Sequence, residues 1–370
     1  MNHSLFGASL RRNSVSPLFK RARLARVETL EQRRVLSAEA AFLDGVLTVE
    51  GDAGDDIIEV TYDDGTLTIT SDGNPLVVEG LPDEFELSAI RVDGGGGDDQ
   101  ITVNIVNTSV GAETALVVEA EGGWGDDSVE VNLETVTVEA EGSLTVKADG
   151  GRDNDTVALN ITELTVDEGG VANLGADGGM GDDTVSLTAT DLVIAGEAEL
   201  RLEGGKGVDA LTLALDGVEV SETGSLAVGA EGGPHDDTMA ATVTDLVIAG
   251  QAEIGLELGP GDDVLTADFL GIDVAARGSL AVSVEGGPGN DTATVSADGV
   301  DVAGALSVRA EGGPGDDSLT LSADNVAIAA TAEVYAAVEG GPGEDILALN
   351  LGAIVVEEGA VVQTKTKNKG

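Results

Sequence analysis

The sequence has no cysteine, two histidines, 2% aromatic residues and far fewer basic than acidic residues. Without cysteine it can form neither disulfide bonds nor thiolate metal sites. Few aromatics and 53 glycines in 370 residues are not typical of an ordinary globular core. No apolar run reaches the roughly 18 residues that a transmembrane helix needs, so we expect no membrane insertion.

Most of the basic residues lie near the amino terminus. Residues 1–38 contain 8 Arg or Lys and two acids, whereas residues 39–364 contain 67 acids and 7 bases. The net charge of −51 therefore belongs to the body of the chain, which repels nucleic acid and anionic lipid and attracts cations. Solubility or adaptation to salt would also explain the charge. We predict a basic, disordered leader over 1–38 and no nucleic-acid partner.

A glycine-rich turn ending in Asp recurs eleven times. We call its last residue the marker Asp; the markers are Asp56, Asp99, Asp127, Asp155, Asp183, Asp209, Asp237, Asp263, Asp291, Asp317 and Asp345. Successive markers are 43 residues apart once and then 26 or 28 residues apart. A fixed period of this length predicts a stack of structural repeats.

Apolar residues alternate with polar ones at fixed distances from each marker. The residues two and four after the marker are apolar in every copy, as at Val185 and Leu187. A second pair follows at nine and eleven, with Thr108 as its polar exception, and a third set precedes the next turn, as at Leu144 and Val146. Period two predicts strands. Each unit therefore supplies three short strands with one apolar face.

These patterns predict an all-β fold, a parallel β-helix (β-solenoid) of about ten coils with 26 or 28 residues per coil. An antiparallel sandwich is the alternative, but it would not require one turn sequence to recur at one corner. We assign the solenoid to residues 99–364, an amino-terminal capping β unit with a hairpin at Asp64-Gly65 to residues 39–98, and a disordered tail to residues 365–370. The two-residue difference between units falls before the third strand, where a corner can absorb it.

The turns carry the residue types of a calcium site, as in Gly178-Gly179-Met180-Gly181-Asp182-Asp183. Glycines let the backbone turn its carbonyls into a concave loop, and carbonyl and carboxylate oxygens are the ligands of calcium. Two stacked turns could supply the six to eight oxygens that one turn cannot. The predicted ligands are Asp99, Asp126, Asp127, Asp155, Asp182, Asp183, Asp209, Asp236, Asp237, Asp262, Asp263, Asp291, Asp316, Asp317 and Asp345.

Some copies depart from this pattern, and their sites are expected to be weaker or empty. Asp153 and His235 replace the third glycine, and Leu258 replaces the first. Val208 and Asn290 replace the acid before the marker. Solvated acidic turns without an ion are the alternative interpretation of the whole column.

Gly-Gly-x-Gly-x-Asp followed by an apolar residue resembles the nonapeptide of hemolysin-type (RTX) calcium-binding repeat proteins. The resemblance implies that turn carbonyls and the last Asp bind Ca²⁺ between successive coils. In that family the motif repeats every nine residues on both edges of a roll. Here it occurs once per coil, which implies a single calcium column and a wider, three-sided coil.

The amino-terminal segment Leu30-Glu31-Gln32-Arg33-Arg34-Val35-Leu36 resembles the Leu-Glu-Pro-Arg-x-Leu-Leu segment (LEPR-XLL type) near the start of many surface or secreted proteins of planctomycetes. Gln32 stands where that pattern usually has Pro. The resemblance implies an export address, since the basic leader lacks the apolar core of a standard secretory signal. We therefore expect an extracellular or cell-surface location.

Taken together, the sequence predicts a secreted or cell-surface calcium-binding solenoid with a structural or adhesive role, whose partners are calcium ions and cell-surface or matrix components. One alternative is ice or surface binding through a Thr/Ser face on the first strands, as at Thr184, Ser186 and Thr188. A polysaccharide-active β-helix enzyme is the other. Constant spacing leaves no insertion that could build a catalytic cleft after residue 99, so we predict that the chain is not an enzyme.

Overall fold

The computed structural model describes residues 38–82 and 85–368. The predicted leader lies outside the described residues except for Ala38, which begins the first strand. All regular structure in the described residues is β-strand. No helix in this part of the chain is long and apolar enough to cross a membrane.

The described residues form 32 strands. The first nine are β1 (Ala38–Leu43), β2 (Val46–Gly51), β3 (Ile57–Asp63), β4 (Thr66–Ser71), β5 (Asn74–Pro75), β6 (Val78–Glu79), β7 (Ala89–Gly96), β8 (Gln100–Val110) and β9 (Ala115–Trp124). The middle coils contain β10 (Ser128–Val138), β11 (Ser143–Arg152), β12 (Thr156–Val166), β13 (Val171–Met180), β14 (Thr184–Thr190), β15 (Val193–Ile194), β16 (Glu197–Lys206), β17 (Ala210–Asp216), β18 (Glu219–Val220), β19 (Ser225–Glu231), β20 (Thr238–Thr244), β21 (Val247–Ile248) and β22 (Gln251–Glu257). The last are β23 (Val264–Leu270), β24 (Asp273–Val274), β25 (Ser279–Glu285), β26 (Thr292–Val302), β27 (Ala305–Glu311), β28 (Ser318–Ile328), β29 (Glu333–Glu339), β30 (Ile346–Leu351), β31 (Ile354–Val356) and β32 (Val361–Lys367).

Equivalent strands of successive coils pair in parallel and in register, which confirms the predicted β-solenoid. Val157 pairs with Val185 and Val185 with Leu211, at distances of 28 and 26 residues along the chain. The third strands of the coils form a 14-stranded sheet that runs from β32 to β7 and continues through β2, β1 and β6. We call this sheet A. The first and second strands of the coils form sheet B.

The coils differ in length where the sequence predicted, in the connection before the third strand. In a 28-residue coil, β12 ends at Val166 and β13 begins at Val171. In a 26-residue coil, β15 ends at Ile194 and β16 begins at Glu197. Strand register is unaffected because the two missing residues come from the corner.

A second corner separates the first and second strands of each coil. The residue eight positions after the marker has a left-handed φ between 43° and 66° in ten coils, and in eight of them it is Asp, Asn or Gly, as at Asp191 and Gly217. Thr135 and Glu163 adopt the same φ (54° and 55°) although these residue types seldom do. In some coils the strand is not interrupted at this corner, and the first and second strands form one continuous strand of 11 residues, as in β10 and β12.

The apolar residues that the alternation placed inside form one continuous core between the sheets. Val185 and Leu187 are fully buried, as are Leu164 and Val166 from the second strand. Thr108, the polar exception, is also buried, and its hydroxyl donates a 2.9 Å hydrogen bond to the carbonyl of Val106. Each buried aliphatic side chain contributes on the order of 1.5–3 kcal/mol, and this core holds the coils in register.

The amino-terminal end explains the single 43-residue spacing. β2 and β3 form the first coil, since they pair in parallel with β7 and β8 at an offset of 43 residues. The extra residues form the hairpin at Asp64-Gly65 that the sequence predicted, and β4 runs back antiparallel along β3. A further hairpin at Asp44-Gly45 places β1 antiparallel to β2. These antiparallel strands cover edges that the first coil would otherwise expose.

At the carboxyl-terminal end, β32 pairs with β29 through Lys367. Residues 365–367, which we predicted as part of a disordered tail, are therefore in a strand. Lys365 makes an ion pair with the buried Glu339 of the preceding coil. This contact and the ladder hydrogen bonds hold these residues in place, which their polar composition did not indicate. Residues 369–370 lie outside the described residues.

Candidate functional site

The glycine-rich turns join the third strand of one coil to the first strand of the next and stack at one corner of the solenoid. Within each turn the second glycine has a positive φ, 111° at Gly123 and 102° at Gly179. This conformation reverses the chain at a place where a side chain would be strained. The marker Asp and the first glycine both face the interior. The marker lies two residues before the first inward residue of the next strand, and the glycine lies two residues after the last inward apolar residue of the preceding strand.

The marker aspartates form an internal ladder along the solenoid. Ten of them are at most 3% exposed, and Asp345 is half-buried. The amide of each marker except Asp345, the last, donates a hydrogen bond to Oδ1 of the marker in the next coil, with N···Oδ1 distances from 2.6 to 3.2 Å. One carboxylate oxygen of each marker therefore replaces a backbone carbonyl in holding two coils together.

The other carboxylate oxygen has no hydrogen-bond partner. This holds for Oδ2 of Asp99, Asp127, Asp155, Asp183, Asp209, Asp237, Asp263, Asp291, Asp317 and Asp345, and in every case the atom is buried. A buried carboxylate oxygen without a partner is costly, and one in every coil from Asp99 onward is unusual for a native structure. The ladder therefore has unsatisfied acceptor capacity at every step.

The unpaired Oδ2 lies beside the first glycine of its own turn. A Cβ on Gly286 would lie 2.5 Å from Asp291 Oδ2 and 2.5 Å from the carbonyl oxygen of Gly312 in the next coil. A Cβ on Gly178 would lie similarly, 2.7 Å from Asp183 Oδ2 and 2.4 Å from the carbonyl oxygen of Gly204. A carboxylate and a carbonyl oxygen of adjacent coils thus approach the same small space, which only glycine leaves open.

The acids immediately before the markers form a separate ladder on the outside of the turns. Asp126, Asp182, Asp236, Asp262 and Asp316 are all exposed. Their Oδ1 atoms accept hydrogen bonds from the backbone of the next coil, as from Val208 N to Asp182 at 2.9 Å. The direction is opposite to that of the inner ladder, in which the amide of the earlier coil is the donor.

Two departures from the turn motif have different effects on this outer ladder. Asn154 accepts a hydrogen bond from Asp182 N (2.8 Å) and Asn290 accepts one from Asp316 N (2.9 Å), so an amide serves as well as an acid. Val208 has no oxygen to offer the next coil. The hydrogen bond at the outer position therefore depends on a side-chain oxygen and not on a charge.

Burial disfavours the charged form of the inner aspartates. It raises the pKa of Asp155 to about 8, although the hydrogen bond from the amide of Asp127 acts in the opposite direction. The same cause raises the pKa of Asp99 and Asp291 to about 7 and of Asp127, Asp183 and Asp237 to about 6. It also raises the pKa of Asp209, Asp263 and Asp317. Neighbouring carboxylates add to the rise.

The predicted ligands therefore divide into an inner and an outer set. Among the described residues, no group of three or more His, Cys, Asp or Glu side chains gathers where it could hold a metal ion. An ion in the inner ladder would thus take most of its ligands from backbone carbonyls. Carboxylate and carbonyl oxygens are the donor types that calcium prefers, so the inner ladder fits calcium in donor chemistry.

A further column of acids lies on the outer face of sheet A. The residue six positions before each marker is acidic in all eleven copies, and these residues are paired in register: Glu50, Asp93, Glu121, Asp149, Asp177, Glu203, Glu231, Glu257, Glu285, Glu311 and Glu339. Lys147 approaches Asp149 at 2.5 Å and Asp177 at 3.7 Å. This column was not predicted, although its fixed distance from the marker could have revealed it.

The Thr/Ser face predicted on the first strands points outward and is discontinuous. Thr184, Ser186 and Thr188 pair in register with Ala210, Thr212 and Ala214 of the next coil. Asp268 interrupts the face in a later coil, and its carboxylate accepts a hydrogen bond from the hydroxyl of Ser296. In the amino-terminal coils the same face carries Asn104, Asn132 and Asn160, whose side chains are hydrogen-bonded to one another at 3.0 and 2.9 Å.

No protein-family model, no curated protein and no solved structure matches this chain.

Proposed function

We propose that this protein is a calcium-binding β-solenoid with a structural or adhesive role at the cell surface or outside the cell. The observation that carries the proposal is the row of ten buried Oδ2 atoms without a partner. Eight of them, all except those of Asp263 and Asp345, lie with a carbonyl oxygen of the next coil beside the space that the first glycine leaves open. A divalent cation there would neutralise the carboxylates and complete their coordination.

The inner markers would hold the ions, together with the carbonyls of the first glycines. Calcium would supply positive charge to a column whose members otherwise repel one another by roughly 3.5 kcal/mol per pair at 4.8 Å and an effective dielectric of 20. The outer acids have a different role, because they hold adjacent turns together through hydrogen bonds; they are Asp126, Asp182, Asp236, Asp262 and Asp316. Their negative charge would also raise the local concentration of cations.

A non-enzymatic role is supported by the uniform coils. The turns, corners and strands repeat without an inserted loop between residues 99 and 368, and a rod of this kind suits a spacer or an adhesive surface. The partners we propose beside calcium are cell-surface or matrix components. Nucleic acid would be repelled by a body with 67 acids and 7 bases.

Isothermal titration calorimetry of the full chain with CaCl₂ tests the proposal directly. We expect binding in the range of about 0.1–1 mM that is typical of extracellular modules. Sodium chloride at equal ionic strength controls for screening, and MgCl₂ controls for divalent charge. A chain that binds calcium no better than it binds sodium would leave the turns as solvated acidic corners.

A further inference from the structure

One turn differs from the others on its inner side. The first glycine of the turn, five residues before the marker, is present in ten copies, and Leu258 takes its place in the turn that ends at Asp263. Leu258 is fully buried and belongs to the hydrophobic core. Leu258 thus places an apolar side chain at a position of the turn where the other ten copies have no side chain.

The backbone at Leu258 is the same as in its neighbours. Gly232 N, Leu258 N and Gly286 N each donate to the carbonyl of the residue six before the next marker, at 2.9, 2.9 and 2.8 Å. The glycine that follows Leu258, Gly259, has a φ of 103°, close to the 104° of Gly287. At residues 258 and 259 the difference from the neighbouring turns is therefore the added side chain.

That side chain begins in the space between a carboxylate and a carbonyl. In the coil before, a Cβ on Gly232 would lie 2.9 Å from Asp237 Oδ2 and 2.5 Å from the carbonyl oxygen of Leu258. In the coil after, a Cβ on Gly286 would lie 2.5 Å from the two corresponding oxygens. By the same geometry the Cβ of Leu258 points between Asp263 and the carbonyl of Gly286.

We propose that Leu258 divides the ion column into two segments by closing the site between the turns of Asp263 and Asp291. This inference rests on the proposed function. Hydrocarbon provides no ligand and displaces the water that a cation would otherwise keep, so a cation at this level would lose hydration without compensation. Asp263 Oδ2 stays buried and without a hydrogen-bond partner.

The two segments are unequal. The first contains the turns that end at Asp56 through Asp263, and the second contains the three turns that end at Asp291, Asp317 and Asp345. Within one segment the proposed ion sites lie in successive coils, and at Leu258 one step without a site separates the two segments. Leu258 also contributes buried apolar surface at the step where an ion would otherwise bind. This surface stabilises the stacking of its coil when the calcium concentration is low.

The number of bound ions tests the inference. Equilibrium dialysis with radioactive calcium gives the number of ions per chain for the wild type, for Leu258→Gly and for the control Leu256→Ala, which alters the core two residues earlier, in β22. Leu258→Gly should bind one ion more than the wild type. Leu256→Ala should bind the same number as the wild type at lower thermal stability.

A reverse variant covers the case in which Leu258→Gly fails to fold. Gly312→Leu introduces the same side chain between the turns of Asp317 and Asp345, and it should remove one ion. An unchanged number of ions in the folded variants would overturn the division of the column and leave calcium binding intact. A wild type that binds no calcium would instead remove the proposed function, and the inference with it.

Discussion

The amide nitrogen of Asp183 lies 2.8 Å from Oδ1 of Asp209, one coil further along the solenoid. Asp183 itself accepts the same bond at 2.8 Å from the amide of Asp155 in the coil before. Each marker is thus an acceptor toward one end of the rod and a donor toward the other. The ladder links the coils in series through side chains as well as through the strands.

The inner ladder separates the effect of hydrogen bonding from that of charge, and Asp183→Asn tests this. The asparagine keeps the Oδ1 acceptor for Asp155 and removes the buried charge. With a chelator at pH 8, in enough sodium chloride to keep the chain folded, we expect the variant to be at least as stable as the wild type. With calcium we expect it to gain less stability than the wild type does.

Asp183→Ala is the matched comparison, since it also removes the acceptor and leaves a buried amide without a partner. We expect it to lose about 1–3 kcal/mol with or without calcium. Urea unfolding followed by circular dichroism measures both variants. Equal calcium stabilisation of Asp183→Asn and the wild type would contradict an ion at this carboxylate.

The core predicts a large effect of charge at Val185, which is fully buried. Val185→Asp should destabilise the rod by about 3 kcal/mol or more, because it places an unpaired carboxylate among apolar side chains. Thr184→Asp, one residue earlier on the exposed face, should change the unfolding free energy by at most about 0.5 kcal/mol. Similar melting temperatures for the two variants would show that Val185 does not face the core.

The outer ladder can be repaired where it is broken. Val208→Asn restores an acceptor for the amide of Asp236 in the next coil, as Asn154 provides one for Asp182. We expect a gain of about 0.5–1.5 kcal/mol in the unfolding free energy. Val208→Ala, which provides no acceptor, should give no such gain, and thermal denaturation at fixed calcium compares the two.

Most of the fold could be predicted because its signals are local. Apolar residues such as Val185 and Leu187 stand two and four positions after the marker in every unit. Their alternation with polar residues identifies the side of the strand that faces inward. The corner eight residues after the marker was missed, although eight of its ten residues are Asp, Asn or Gly, because Thr135 and Glu163 interrupt that pattern.

The site was predicted in position but not in detail. The adjacent acids Asp126 and Asp127 look equivalent in the sequence, yet only Asp127 is buried. The alternation could have distinguished them, since Asp127 precedes the inward Val129 by two residues. The opposite directions of the two ladders depend on how successive turns stack, and no single turn contains that information.

Without calcium, the stability of the rod should fall as the pH rises. Asp155 has a pKa of 3.8 when unfolded and about 8 when folded. The folded state therefore holds this proton more tightly. Its contribution to stability is complete below about pH 4 and is lost as the pH rises through 8. Asp99 and Asp291, with pKa values of about 7, act in the same direction.

Melting temperatures with a chelator between pH 4.5 and 8.5 measure this loss. Asp155→Asn removes one titrating group and should make the slope shallower by at most about 1.4 kcal/mol per pH unit. A stability that rises with pH in the absence of calcium would contradict the burial of these carboxylates.

The final prediction is that folding is coupled to calcium at neutral pH. The ligands come together only when coils stack, so binding free energy becomes part of the folding free energy. With a chelator at low salt, repulsion along the column should keep the chain expanded, and millimolar calcium should fold it. Circular dichroism measures the strand content, and size-exclusion chromatography measures the dimensions of the chain.

Three control conditions distinguish coordination from screening. Sodium chloride relieves repulsion without supplying a ligand site, so at equal ionic strength it should restore less structure than calcium does. Magnesium should also be a poor substitute, because it requires a tight octahedron and dehydrates reluctantly. Lowering the pH to about 5 should fold the chain without calcium, since protons neutralise the same buried carboxylates. If the chelated chain at pH 8 has the same strand content and dimensions as the calcium-loaded chain, the ladder is stable without an ion and folding is not coupled to calcium.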